Sequence, residues 1–357
     1  MISFGHCADG AVPYIRAMPA VLERVFFRLP RRIVFRLAGV VLAALPLSTA
    51  PAAESAAAPT VLIVVGASGE EEFGQNFSRN AGLWAAAARQ AGANPITIGL
   101  DTNATASDHD RLQQALAGEA KEGPAELWLV LLGHGTYDGK EAKFNLRGAD
   151  LSATELAAWL KPVRRPLALL NTTAASAPFL QSLSASNRVI LTATRRGSEV
   201  NYTRLGTHLA EAIADPSADL DKDGQTSLLE AFLMAARRTA EFYETEGRMM
   251  TEHALLDDNG DGLGTQPDWF RGIRAVKSAK DGAPLDGARA HQFHLVRSES
   301  ERQLPAELRA RRDELEVAIA KLRQTRSGLS EEKYYQQLET LLLELARLYE
   351  QSAPKKL

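Results

Sequence analysis

A histidine between two glycines, Gly133-His134-Gly135, closes the apolar run Leu127–Leu132. The run is too short for a helix and lacks the alternation of a half-exposed strand, so it reads as a strand buried on both faces. The two glycines let the backbone turn sharply and leave the imidazole at the strand's carboxyl end, where open parallel sheets bind ligands. A lone histidine there can simply cap a loop. The chemical alternative rests on the next buried run, Pro166–Leu170, which ends in Asn171, Thr172, Thr173, Ala174, Ala175 and Ser176. A base on one strand end beside a small, hydroxyl-bearing loop on the next is the arrangement of a histidine-assisted nucleophile, with Thr172, Thr173 or Ser176 as the candidate hydroxyls. A hydroxyl nucleophile also needs a group that orients the histidine and an oxyanion hole, and the sequence carries no motif for either. Arg195, Arg196 and Glu199 follow a later strand and are expected at the same edge, as ordinary surface charges or as substrate contacts.

The second chemistry is that of a hard cation. Asp219–Glu230, DLDKDGQTSLLE, sets Asp219, Asp221 and Asp223 in alternation, then Gly224, the Gln225 carbonyl, Ser227 and Glu230, in the order of an EF-hand loop. Alternating carboxylates converge because the glycine folds the loop back, and the last Glu, fixed on the outgoing helix, can bind bidentately. Thr226 stands where paired EF-hands carry an aliphatic residue, so the expectation is an unpaired, structural calcium site; the plain alternative is a solvated acidic turn. Asp257–Asp268, DDNGDGLGTQPD, repeats the pattern with Asp257, Asn259, Asp261, Gly262, Thr265 and Asp268. Gly264 and Pro267 loosen this second loop, and Asp268 is shorter than Glu.

These residues need a frame. Thr60–Val65, Pro95–Leu100, Leu127–Leu132, Pro166–Leu170 and Arg188–Thr194 read as strands, separated by helical patterns at Ala81–Ala91, Asp108–Ala120 and Ser152–Leu160. Gly69–Phe73 reads as an acidic loop and Tyr137–Leu146 as a short hairpin around Asp138-Gly139. Ser152 and Glu155 have the spacing of a capping box, and Pro178 suits the first turn of the helix after the small-residue loop. Helices at Thr207–Ala214 and Leu228–Tyr243 flank the first acidic loop. Strands alternating with helices imply a mainly parallel sheet in a three-layer α/β domain. Towards the end, Leu308, Leu315, Ile319 and Leu322 form one stripe; Tyr334, Leu338, Leu341, Leu345 and Leu348 form a heptad seam after Gly328 and Ser330. The expectation is an antiparallel helical hairpin over 297–352, packed on the α/β domain or offering a face to a protein or peptide partner.

The His-Gly strand end, the small-residue strand end and the run Arg188–Glu199, RVILTATRRGSE, together resemble the caspase-fold cysteine peptidases, within them the legumain-like branch and its bacterial relatives. The resemblance covers roughly 59–296. It implies a three-layer caspase-like domain, with His134 at the catalytic histidine position, Ser176 at the motif's serine, and the 188–199 run as a strand and the wall of a substrate pocket. It also implies that both acidic loops are structural features. The departure is chemical: Ala174 falls where the nucleophilic cysteine stands in that family, and Ala177 replaces the motif's glycine.

Arg28, Arg31, Arg32 and Arg36, the apolar run Leu37–Leu47 and then Ser48, Thr49, Ala50, Pro51 and Ala52 have the order of a secretory signal over 1–52, with an Ala-rich linker at 53–58. Met18 is an alternative start, since a signal needs nothing from residues 1–17. As a membrane anchor the run falls short of the ~20 residues that span a bilayer. The expectation is an exported, periplasmic or secreted protein, off the membrane after cleavage. The formal charge of −3 becomes more negative without that arginine-rich segment, so nothing suggests nucleic acid. The single cysteine, Cys7, lies in the segment to be removed, which leaves no thiol nucleophile and no disulfide. The readings are thus a calcium-stabilised pseudopeptidase that binds or scaffolds, an active peptidase using His134 with Thr172, Thr173 or Ser176, and a calcium-responsive interaction module acting through the hairpin.

Overall fold

The computed structural model describes residues 58–352, so the expected signal at 1–52 and nearly all of the linker lie outside the described residues. Along the chain run β1 (Thr60–Val65), α1 (Glu71–Gln90), β2 (Ile96–Ile98), α2 (Asp108–Gly118) and β3 (Leu127–Leu132). A small antiparallel sheet of β4 (Gly135–Tyr137), β5 (Ala142–Phe144) and β6 (Leu151–Ser152) interrupts the alternation. Then come α3 (Ala153–Leu160), β7 (Leu167–Asn171), α4 (Ala177–Leu183), β8 (Arg188–Thr192), α5 (Leu205–Ala212), α6 (Leu228–Thr245) and β9 (Leu255–Asp257). A two-stranded ribbon, β10 (Phe270–Arg271) and β11 (Arg274–Ala275), precedes α7 (Glu299–Gln303), α8 (Ala306–Gln324) and α9 (Glu331–Ser352).

The main sheet has the order β2-β1-β3-β7-β8-β9, and only β9 runs antiparallel to its neighbour. Its central strands are apolar on both sides because both sides are covered. On β3, Trp128, Val130 and Leu132 join the face packed by α1, α5 and α6, with Trp84, Phe232 and Leu209. Leu127, Leu129 and Leu131 join the opposite face, with Leu112 of α2, Leu156 and Leu160 of α3 and Phe179 of α4. Period-two alternation in a run without polar residues thus divides one strand between two cores. The expected α/β class holds: helix, sheet and helix form three layers.

Two elements differ from expectation. Helix α1 begins at Glu71, where the sequence reads as an acidic loop; Glu71 and Glu72 lie in its first turn, where the helix dipole favours carboxylates. Strand β9 was not expected at all. Its three residues give no periodicity, and it exists because Leu256 finds a partner in Leu191 on the sheet edge. Ser152 does cap α3, accepting from the Glu155 N–H at 3.1 Å, and Pro178 sits in the first turn of α4.

Helices α8 and α9 form the expected hairpin, with Leu315, Ile319 and Leu322 buried against Tyr334 and Leu348, and Arg311 Nε donating to Glu344 at 2.9 Å. The hairpin belongs to the same compact unit as the sheet. Gln292 Nε2 donates to the Asp313 carbonyl at 2.7 Å and ties α8 to the segment after the sheet. Tyr335, Leu342 and Leu343 of α9 remain exposed. No helix among the described residues is long and apolar enough to cross a membrane.

Because Leu129 is fully buried at the centre of the sheet, Leu129→Ala is expected to destabilise the protein by about 2–5 kcal/mol, the usual cost of a core cavity. Urea denaturation measures it; a loss below about 1 kcal/mol would mean that β3 is not the core strand described.

Candidate functional site

The chain leaves β1 for β2 on one side and returns to β3 on the other, so the carboxyl ends of β1 and β3 diverge and open a crevice between them. His134 stands there. Its Nε2 lies 3.0 Å from the Ser68 carbonyl after β1. A carbonyl oxygen only accepts, so Nε2 carries the proton and, in the neutral ring, Nδ1 keeps the lone pair. Phe73 and Phe77 of α1 meet the imidazole edge-on, with centroids at 5.0 and 5.2 Å, and Tyr202 packs at 6.0 Å. The ring is therefore fixed by an aromatic cage and one carbonyl, half-buried at the strand end.

The small-residue loop comes against it through Gly135. A Cβ on Gly135 would stand 2.2 Å from the Ala174 carbonyl oxygen and 2.6 Å from Thr173 Oγ1, so only glycine fits there. The sequence reading that the His134 and Ala174 strand ends adjoin is thus realised. The hydroxyls, however, point into the framework. Thr172 Oγ1 donates to the Leu131 carbonyl at 3.0 Å, and Thr173 Oγ1 donates to Asn171 Oδ1 at 2.7 Å. Ser176 Oγ accepts from the Ala193 and Thr194 N–H groups at 3.1 and 3.2 Å and pairs with Thr194 Oγ1 at 3.2 Å. All three side chains are buried, and none has a hydrogen bond to His134. Ser176 joins β7 to β8; Ala174 offers a methyl group that is 5% exposed.

A second histidine, passed over in the sequence, occupies the far end of the same edge. Because β9 is antiparallel, His253, just before it, lies at the carboxyl end of β8. Its Nδ1 sits 2.9 Å from Glu199 Oε1, and its N–H donates to Glu199 Oε2 at 3.2 Å. Glu199 Oε2 also accepts from the Arg195 N–H at 3.1 Å, while Arg195 Nε lies 3.4 Å from Oε1. The Glu199 carbonyl accepts from Ala175 N–H at 2.8 Å, which links this cluster to the small-residue loop. Arg195 and Glu199 were foreseen at this edge; His253 was not, because the strand that places it is too short to read. Beside it Glu252 accepts from the Arg204 and Leu205 N–H groups at 2.7 and 3.1 Å and from Tyr243 Oη at 3.1 Å, yet its burial pushes the carboxyl above the usual range.

The first acidic loop folds as expected. Lys222 and Gly224 take positive φ values of 64° and 90° and bend it back. The carboxylate oxygens of Asp219, Asp221 and Asp223 lie within 4.8 Å of one another. Asp219 accepts from the Lys222 and Gly224 N–H groups, and Glu230 accepts from Leu220 N–H at 2.7 Å and Ser227 N–H at 2.9 Å, completing a capping box at the start of α6. Gln225 turns its side chain to Asp223 and to the Ser298 N–H, which leaves its carbonyl for the loop. The converging oxygens fit a hard cation. One donor was unforeseen: His291 Nε2 stands 2.9 Å from Asp221 Oδ2, and it groups with Asp221 and Glu230.

The second loop repeats the same turns: Asp257 accepts from Gly260 and Gly262 N–H, Asn259 Oδ1 from Asp261 N–H, and Asp261 from Leu263 N–H, as Asp219, Asp221 and Asp223 do in the first. Asp268 lies on a separate turn, Pro267–Trp269, beside Phe270. Pro267 starts that turn. The loop's buried acids serve another purpose. Asp258 accepts from the Gly287, Arg289 and Ala290 N–H groups, and Asp286 accepts from Asp258 N–H at 3.0 Å and Thr265 Oγ1 at 2.6 Å. Burial first, and then the Asp258 charge, push Asp286 up to about 8.

No family model matches the chain, and no curated protein matches it. Among solved structures it is similar to the Drosophila initiator caspase Dronc, at 14% identity with a TM-score of 0.38, over 60% of this chain and 85% of that one. At that distance the likeness says nothing about chemistry, which has to be read from the side chains themselves.

Two outcomes follow from this geometry. Gly135→Ala is expected to cost about 1–3 kcal/mol or more, because the Ala174 backbone cannot yield as a flexible side chain would; chemical denaturation reads it, and a neutral result would mean that the loops are not in contact. A folded-state pKa raised for Asp286 means that the native protein binds a proton the unfolded chain has released between about pH 4 and 8, so stability falls as pH rises through that window. The slope is at most about 1.4 kcal/mol per pH unit. Asp286→Asn, which keeps both partners in hydrogen-bonding reach, is expected to flatten the decline in thermal midpoint between pH 5 and 8.

Proposed function

We propose that this chain is an exported caspase-fold binding or scaffolding protein without peptidase activity, stabilised by calcium at Asp219, Asp221, Asp223, Gln225, Ser227 and Glu230. The observation that carries the first half is the state of the loop facing His134: a methyl group at Ala174, and the hydroxyls of Thr172, Thr173 and Ser176 all engaged with backbone or neighbouring side chains. A histidine without a nucleophile in reach supplies little of the acceleration that a base and nucleophile give together. To act, one of these hydroxyls would have to leave its buried partner, and each such loss costs about 1–3 kcal/mol before any bond is attacked. Converging carboxylates, and a glycine and a lysine in the left-handed conformation, support the calcium reading.

What is bound follows from the same surface. The carboxyl edge that carries His134 and His253 suits a peptide segment better than nucleic acid, given the acidic balance of the chain. The exposed Tyr335, Leu342 and Leu343 of the hairpin are a second protein-facing surface.

Incubated with peptide libraries and an acyl-trapping probe, the protein is expected to give no turnover and no covalent adduct. Turnover that disappears in His134→Ala would reverse the proposal. Calcium at about a hundred times its dissociation constant is expected to stabilise the fold by about 2.7 kcal/mol, read as a rise in thermal midpoint. Asp219→Ala together with Glu230→Ala should abolish that rise, and an unchanged midpoint on adding chelator to the calcium-loaded protein would remove calcium from the proposal.

A further inference from the structure

Beside His253 the carboxyl edge opens into a pocket of about 750 Å³. That volume is in the range that holds small molecules. Its body is apolar, built by Leu205, Leu233, Met234, Met250 and Phe270. Methionine side chains adapt to ligand shape, and Met250 is partly exposed at the mouth. The charged groups on the wall are Arg195, Arg237, Glu252, His253 and Asp268. Arg237 is paired with Glu241 through its Nε at 2.9 Å and its side chain is 69% exposed, mostly in water, while Glu252 is held by two backbone N–H groups and a tyrosine hydroxyl and is not available to a ligand. Asp268 is exposed, on the turn Pro267–Trp269.

That leaves Arg195 and His253. Both lean on one carboxylate, Glu199, which meets their side chains at the Nε of the arginine and the Nδ1 of the histidine. Among the described residues the terminal nitrogens of Arg195 and the Nε2 of His253 have no hydrogen-bond partner. A guanidinium edge beside an apolar wall recognises a planar, two-oxygen head. We propose that this pocket binds a small amphipathic carboxylic acid, its alkyl or aryl body on the Leu205 to Phe270 wall and its carboxylate on the Arg195 guanidinium. The carboxylate end of the site is separate from Ala174 and stands whether or not that position behaves as proposed above; the wall takes in Leu220 of the first acidic loop and Gln266, Pro267 and Asp268 of the second.

Isothermal titration of the full chain with decanoate, decan-1-ol and acetate tests both halves of the recognition. Decanoate is expected to bind at least tenfold more tightly than decan-1-ol, which lacks the head, and than acetate, which lacks the body. Arg195→Ala should weaken decanoate at least tenfold and leave decan-1-ol unchanged, and Ala236→Phe, which projects a ring from α6 into the pocket, should weaken both. Thermal midpoints of the two variants within a few degrees of the parent keep the comparison on the pocket. Equal affinity for decanoate and decan-1-ol, indifference to Ala236→Phe, or no decanoate binding at all would each overturn the proposal.

Discussion

The close approach of Gly135 to the Thr173–Ala174 backbone is the contact on which the rest of this edge depends. With any side chain at 135 the strand ends of β3 and β7 would be forced apart, and Cβ positions 2.2 Å from a carbonyl oxygen are not met by small adjustments. The contact sets His134 beside the small-residue loop and turns that loop inward. Once inward, its polar groups lose water and must find partners in the protein. Thr172 reaches β3, Thr173 reaches Asn171, and Ser176 reaches the end of β8. The hydroxyls that could do chemistry are therefore the groups that fasten three strands together, and that double demand is why a buried serine here is a poor nucleophile.

Across the sheet the same logic is repeated with charges. Glu199 gathers Arg195, His253 and two backbone N–H groups, and its own carbonyl takes the Ala175 N–H. Five donors on one residue make it the hinge between the loop after β7 and the loop before β9. Arg195 and His253 share that carboxylate, and both line a pocket whose body is apolar. The second acidic stretch answers burial differently: Asp258 and Asp286 are stacked on backbone amides and on each other, and repulsion in a dry site is relieved by keeping a proton.

Much of the frame could be read from residues alone because it rests on local signals. The apolar runs at Thr60 and Leu127 begin and end where β1 and β3 do, the Ser152 cap is made, and the Asp219 loop folds around its glycine. What could not be read depends on distant partners. Strand β9 has three residues and is stabilised by β8, so His253 gave no sign of lying at the active edge. His291 reaches Asp221 from 70 positions along the chain. The fate of the hydroxyls was equally hidden, since Thr172 and Ser176 have the right composition for a nucleophile loop and only their hydrogen bonds show a structural use.

Ala175 bears on whether the loop was shaped for catalysis or for packing. Its φ of 53° places a residue with a Cβ in the left-handed region, at a cost of about 1–2 kcal/mol. A loop free to relax would shed that cost. It persists because the neighbours over-determine it: the Ala175 N–H is held by the Glu199 carbonyl, and Ala177 N–H by Thr194 Oγ1 at 3.1 Å. Strain of this kind survives only where the surroundings outweigh it. Here the surroundings are hydrogen bonds to β8 and its following loop, all of which are intact with a methyl group at 174. The backbone shape is thus maintained by hydrogen bonds that hold β7 against β8, and it asks nothing of the side chain at 174.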